Sequence, residues 1–213
     1  MTDHLPVALR ALWHELPLLA AAGVAVCAAA GAVVVVAPGI NPFAVLLAAL
    51  LVAPVWAGVT ATTDSVVRGG PGGVVLMLKN IKRYAVGGAA TGSVPAIVTA
   101  VTLLNWALYD ATGRGWILMP LAASGAATVL AVLAAFAAFS LRVTEGLTGR
   151  TQWLTALWLV ARAPLVPVGV LAVVVVALLV GTSVTASLLL LAPGPIALLA
   201  SAGTWTTYLG RTA

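Results

Sequence analysis

The amino-acid sequence predicts an all-α integral membrane bundle of about six transmembrane helices, with one or two amphipathic cytoplasmic helices. Three observations predict it. Of 213 residues, 62% are hydrophobic and 7% charged, whereas a soluble domain carries about 25% charged residues to solvate its surface. The charges are also spaced in a telling way. Uncharged stretches of 48 residues separate Glu15 from Asp64 and Arg162 from Arg211, and stretches of 26 and 27 separate Arg83 from Asp110 and Arg114 from Arg142. A membrane-spanning helix needs about 20 apolar residues, so the short stretches hold one span each and the long ones two. Third, the cations alternate with that count. Arg10, Arg68, Lys79, Lys82, Arg83, Arg142, Arg150, Arg162 and Arg211 fall on one side and Arg114 alone on the other. Lys and Arg collect in cytoplasmic loops, which puts both termini in the cytoplasm and the chain in a bacterial-type plasma membrane as a multi-pass protein. A soluble enzyme, a nucleic-acid binder and a secreted domain are excluded.

The elements follow in order as a single membrane domain over residues 1–213. The first span covers about 16–37 and stops at Pro38-Gly39-Ile40-Asn41-Pro42, a cluster that cannot continue a helix. The second covers about 43–67, the third 84–109 and the fourth 116–141. The fifth covers about 164–180 and the sixth 184–208, with a turn near Gly181 and Pro193-Gly194-Pro195 as a break inside the sixth. A break at the prolines instead would leave 196–209, about 21 Å of helix, short of the roughly 30 Å hydrocarbon core. Trp13, Trp106, Trp116, Trp153 and Trp205 stand near span ends, where amphipathic rings favour the interface. The N-terminal stretch lacks the strongly basic start of a signal peptide. Cys27 reads as a packed thiol.

Lipid tails are as apolar as Leu, so membrane helices associate through close packing of small residues. Gly88, Gly92, Ala96 and Ala100 form such a stripe on the third span. Packing within the chain is the first reading of it and a homodimer face the second. Between spans two and three, Met77, Leu78 and Ile81 share one helical face while Lys79, Asn80, Lys82 and Arg83 share the other. That pattern suits an interfacial helix along the cytoplasmic leaflet. A weaker repeat of the same arrangement runs from Trp153 to Arg162. Arg68, Lys79, Lys82, Arg83, Arg150 and Arg162 therefore form a candidate docking face, for anionic lipid headgroups or for a partner. Asp64, Arg142 and Glu145, at the inner ends of spans two and four, are candidates for ion pairing.

Chemistry is sparse. His4 and His14 are the only histidines, and no group of His, Cys, Asp and Glu has metal-ligand spacing. Gly-x-Ser-x-Gly and the phosphate-binding Gly loop with its Lys are both absent. No catalytic residue and no cofactor are expected. A carrier for an uncharged solute is an alternative, with Thr60, Asn105 and the Pro193-Gly194-Pro195 break along a polar path.

The stretches Asn41-Pro42, Pro54-Val55-Trp56-Ala57-Gly58-Val59-Thr60-Ala61, Val67-Arg68-Gly69, Lys79-Asn80-Ile81-Lys82-Arg83-Tyr84 and Trp153 through Arg162-Ala163-Pro164 carry a resemblance. The chain resembles the YesL-like membrane proteins, domain-of-unknown-function family 624, over nearly its whole length. It departs from their aromatic-rich pattern where Val75-Leu76-Met77 stands. The resemblance implies a small helical membrane protein whose genes often lie beside carbohydrate ABC importers, and no catalytic residues. The expected function is then a non-enzymatic accessory or regulator of a carbohydrate ABC uptake system. The alternatives are the small carrier and a lipid-binding structural bundle. Expected partners are membrane lipids, ABC transporter subunits and a second copy of the chain, with no role for nucleic acid.

Overall fold

The computed structural model describes residues 13–183 and 190–209, and these residues are mostly helical with no strand among them. The helices are α1 (Leu16–Val36), α2 (Pro42–Val67), α3 (Val74–Thr112), α4 (Leu118–Thr144), α5 (Gly149–Arg162), α6 (Leu165–Ser183) and α7 (Pro193–Leu209). A 3-10 turn over Gly115–Ile117 leads into α4. Four units are long and apolar enough to cross a membrane: α1, α2, α3 and the 3-10 turn with α4. The pair of α5 and α6, bent by 91° at its break, supplies a fifth span if it is counted as one.

Local signals explain the ends. The Asn41 side chain accepts a hydrogen bond from the Ala44 N–H at 2.8 Å, and Pro42 opens α2 behind it, a position where the missing N–H costs nothing. Gly73, at φ 116°, turns the chain into α3. At the other end of α3, Gly113 takes the left-handed conformation (φ 63°) and donates to the Tyr109 carbonyl, the usual glycine stop.

Two expectations are corrected. The basic stretch from Val74 to Tyr84 is not a separate interfacial helix but the first three turns of α3, which runs unbroken for 39 residues. No proline intervenes before Pro95, so nothing stops the helix. Its length of about 58 Å exceeds the roughly 30 Å core, long enough for the charged turns to overhang it. The second correction concerns the sixth span. Ala192 is a bend, and Pro193 is the first residue of a 17-residue helix. Proline thus occupies the helix start it favours, and the turn expected near Gly181 is instead helix through Ser183. Residues 184–189 of the expected span lie outside the described residues.

The bundle is held by close backbone approach. A methyl group built on Gly88 would collide with the Ala53 carbonyl and the Ala57 side chain, and one on Gly92 with Ala53. One on Gly58 would strike the Ile81 backbone. Gly88 and Gly92 are therefore buried against α2, and Ala96 and Ala100 of the same stripe are buried as well. The stripe packs inside the chain, and the homodimer face expected there is already covered. Gly23 and Gly194 play the same part where α1 meets Leu190 and the start of α7. Gln152 adds a polar tie: its amide donates to Thr91 Oγ1 at 2.9 Å and to the Ala138 carbonyl at 3.0 Å, joining α5 to α3 and α4. Trp13, Trp106 and Trp116 are exposed, as interfacial rings should be, but Trp205 is only 2% exposed and belongs to the core.

Candidate functional site

Asp64 lies one turn before the end of α2 and is 1% exposed. Its carboxylate accepts hydrogen bonds from Ser140 Oγ at 3.2 Å and from Thr144 Oγ1 at 2.8 Å. These two hydroxyls stand four residues apart on α4, and that spacing puts both on one face of a helix. From α7, Ser201 faces the same carboxylate. Ser201 Oγ lies 3.0 Å from Thr63 Oγ1. Thr62 Oγ1 accepts from the Asn80 amide at 3.0 Å, which brings α3 to the rim of the cluster. Hydroxyls from three helices thus surround one buried acid. Two atoms in this neighbourhood are buried without a hydrogen-bond partner: Thr60 Oγ1, one turn before Asp64 on the same helical face, and the Trp205 indole N–H.

The expected ion pair is not formed. Among the described residues no Lys or Arg pairs with Asp64, whose bonds run to hydroxyls. The Arg142 guanidinium lies against Gly87 of α3 instead, and Glu145 is exposed beyond the end of α4. The reason is steric: Gly87 leaves a slot on α3 that the Arg142 side chain fills, drawing it away from α2. Arg68 stacks over the Trp205 ring, 5.2 Å from its centroid, a contact that holds the ends of α2 and α7 together.

A cleft of about 320 Å³ opens beside this cluster. It is lined by Ala61, Asp64, Arg68, Gly70, Val143 and Thr144, so a buried carboxylate and an exposed guanidinium share one opening. Farther along the bundle the cavities change character. A cavity of about 610 Å³ is walled by Val26, Trp56, Phe136, Val174, Pro193 and Ile196. Another of about 270 Å³ lies between Ala49, Trp56, Gly92 and Phe139. Both are lined almost wholly by carbon.

The remaining sequence-predicted residues separate into groups. Arg68, Lys79, Lys82 and Arg83 are exposed around the link between α2 and α3, and Arg150 and Arg162 are exposed at the two ends of α5. Arg162 lies over the Trp158 ring at 5.1 Å. The candidate polar path is not assembled. Asn105, near the far end of α3, donates to Ser124 Oγ at 3.1 Å, whereas Thr60 lies in the other half of the bundle on α2. Pro193 and Gly194 open α7 beside the carbon-lined cavity and Leu19 of α1; Pro195 follows them in the same first turn.

Sequence reasoning placed Asp64 correctly at a helix end but missed its hydroxyl shell. The available signal was polar spacing: Thr60 and Asp64, Ser140 and Thr144, and Ser201 and Trp205 each stand four residues apart in otherwise apolar helices. No protein-family model, no curated protein and no solved structure matches the chain.

Proposed function

We propose that the chain is a non-enzymatic, multi-pass protein of the cytoplasmic membrane that assists a carbohydrate ABC uptake system as an accessory or regulatory component. In this reading it crosses the membrane six times with both termini inside, and its working surface is the cationic cytoplasmic end. The observation that carries the reading is a separation of chemistry along the bundle. Exposed cations gather around the α2–α3 link, with Lys79, Lys82 and Arg83 on the overhang of α3, while the cavities beside Trp56 are lined almost wholly by carbon and offer few groups to replace water around a sugar. A carrier needs polar stations at that depth; a helper needs only a rigid bundle and a surface. The resemblance to the YesL-like proteins supports the same choice, and through it the link to carbohydrate import. Anionic lipid headgroups share the cationic face under this reading.

Replacing Lys79, Lys82 and Arg83 together by Gln tests it. The triple variant should insert into the membrane at wild-type levels, because all three side chains are exposed. Copurification with the importer's membrane subunits should fall about tenfold or more, the equivalent of roughly 1.4 kcal/mol of lost contact. Undiminished copurification removes the docking face. Purified chain that alone moves a sugar into liposomes replaces the helper by the carrier.

A further inference from the structure

We infer that Asp64, Ser140, Thr144 and Ser201 form a binding site for a single monovalent metal cation of about the size of Na⁺, reached through the cleft beside Arg68. The inference goes beyond the accessory role and does not depend on it.

Four observations support it. The first is charge. Asp64 is buried in a membrane-spanning helix with no cationic side chain paired to it among the described residues, and an uncompensated charge in such a place is costly. The nearby guanidinium groups make other contacts, Arg142 against Gly87 and Arg68, at the mouth of the cleft, over the Trp205 ring. The second is the donor set. A carboxylate with Ser and Thr hydroxyl oxygens from α2, α4 and α7 is a hard, all-oxygen environment, suited to a hard cation and lacking the imidazole or thiolate that select transition metals. One carboxylate balances one positive charge. A divalent ion would leave the buried site net positive, which sets the preference for a monovalent one.

The third observation is spare capacity. Thr60 Oγ1, 3% exposed and on the same face of α2 one turn away, has no hydrogen-bond partner. A buried hydroxyl left unmatched costs about 1–3 kcal/mol, and it offers a further oxygen to the cation or to a water the cation carries. The fourth is access. The cleft of about 320 Å³ reaches Asp64 and Thr144 from the end of the bundle where α2 passes into the α3 link, so the ion enters without crossing the carbon-lined interior. The hydroxyls of Ser140 and Thr144, which donate to the carboxylate in this structure, need only rotate to turn their lone pairs toward the ion. Bound there, the cation joins α2, α4 and α7, adding to the Asp64 bonds with Ser140 and Thr144, the Arg68 contact on Trp205 and the Ser201 contact with Thr63.

The test uses the full chain purified in a non-ionic detergent. Thermal unfolding is followed by tryptophan fluorescence at constant ionic strength while choline chloride is exchanged for NaCl or KCl, and ²²Na⁺ binding is measured in parallel. A ligand that binds only the folded state raises the midpoint in a saturable way. The expected result is a saturable rise in Na⁺ that choline does not reproduce, absent in Asp64→Asn. The apparent affinity should weaken by about tenfold in Thr144→Val, the loss of one good oxygen contact, and remain unchanged in Arg142→Gln. If Asp64→Asn does not fold, Thr144→Val and the ²²Na⁺ measurement on the unaltered chain decide. Equal midpoints in Na⁺, K⁺ and choline together with no ²²Na⁺ retained overturn the inference. So does a midpoint that responds to pH alone, which would mean that Asp64 takes a proton and no metal ion.

Discussion

Replacing Gly88 by Leu is expected to abolish the native packing of α2 on α3. Even a single methyl there overlaps the Ala53 carbonyl, the Pro54 Cα and the Ala57 side chain. Two of these three are backbone atoms and cannot rotate away. Overpacking a tight core typically costs about 1–3 kcal/mol and sometimes more, and the larger end applies where the helices themselves must separate. The variant should give little monodisperse protein in mild detergent, with an unfolding midpoint lowered by ~5 °C or more. Gly125→Leu on α4 is the control. Nothing lies within 4 Å of the methyl it would add, so its midpoint should stay near that of the unaltered chain. Equal behaviour of the two variants would show that the glycine stripe does not set the helix spacing.

The second large effect is expected from Trp205→Ala. Trp205 heads the fully buried side chains and packs with Leu18, Val59, Val66, Met77 and Leu198 from four helices. It also carries the Arg68 contact and meets the Tyr208 ring edge-on at 5.5 Å. Emptying such a site costs about 3–5 kcal/mol. The loss should be largest at α7, because the Gly88 and Gly92 seam between α2 and α3 does not use this residue. Protease sites in the last helix should open while a fragment containing α1 to α4 stays protected. Wild-type resistance throughout the chain would place Trp205 outside the load that holds α7 in the bundle.

Much of this architecture is written in short-range chemistry. The four long apolar helices follow from charge spacing, and Asn41-Pro42 announces the start of α2 through its own side-chain cap. The glycine stripe on α3 was readable because a four-residue period on a helix is a face, and only the identity of its partner, Ala53 and Ala57 on α2, required the structure. Other features were out of reach for definite reasons. Amphipathic patterning marks a surface but not a break, so the turns from Val74 to Tyr84 looked like a separate element although nothing interrupts the helix. Length argued for keeping Pro193-Gly194-Pro195 as a break inside a longer span; Leu190 and Leu191 are helical, Ala192 bends the chain, and Pro193 opens the 17-residue α7. The shell of Asp64 is contributed by residues 76 and 80 positions away on α4 and by Ser201 still farther along. No local pattern encodes which distant hydroxyls converge on an acid. Arg142 was the natural partner for Asp64 by charge, and it was lost to a slot that a single glycine on another helix creates.

In the proposed orientation the cationic link and the overhang of α3 face the cytoplasm. Lys82 stands about two turns inside one end of α3 and Arg114 just beyond the other, so a single helix supplies both reporters. With Cys27 replaced by Ser, Lys82→Cys and Arg114→Cys are labelled separately in intact cells by a membrane-impermeant maleimide. Labelling of Arg114→Cys in intact cells, and of Lys82→Cys only after the membrane is permeabilised, is the predicted result. Labelling of Lys82→Cys from outside would contradict the account, because the cationic face and the Asp64 cleft would then open away from the cytoplasm.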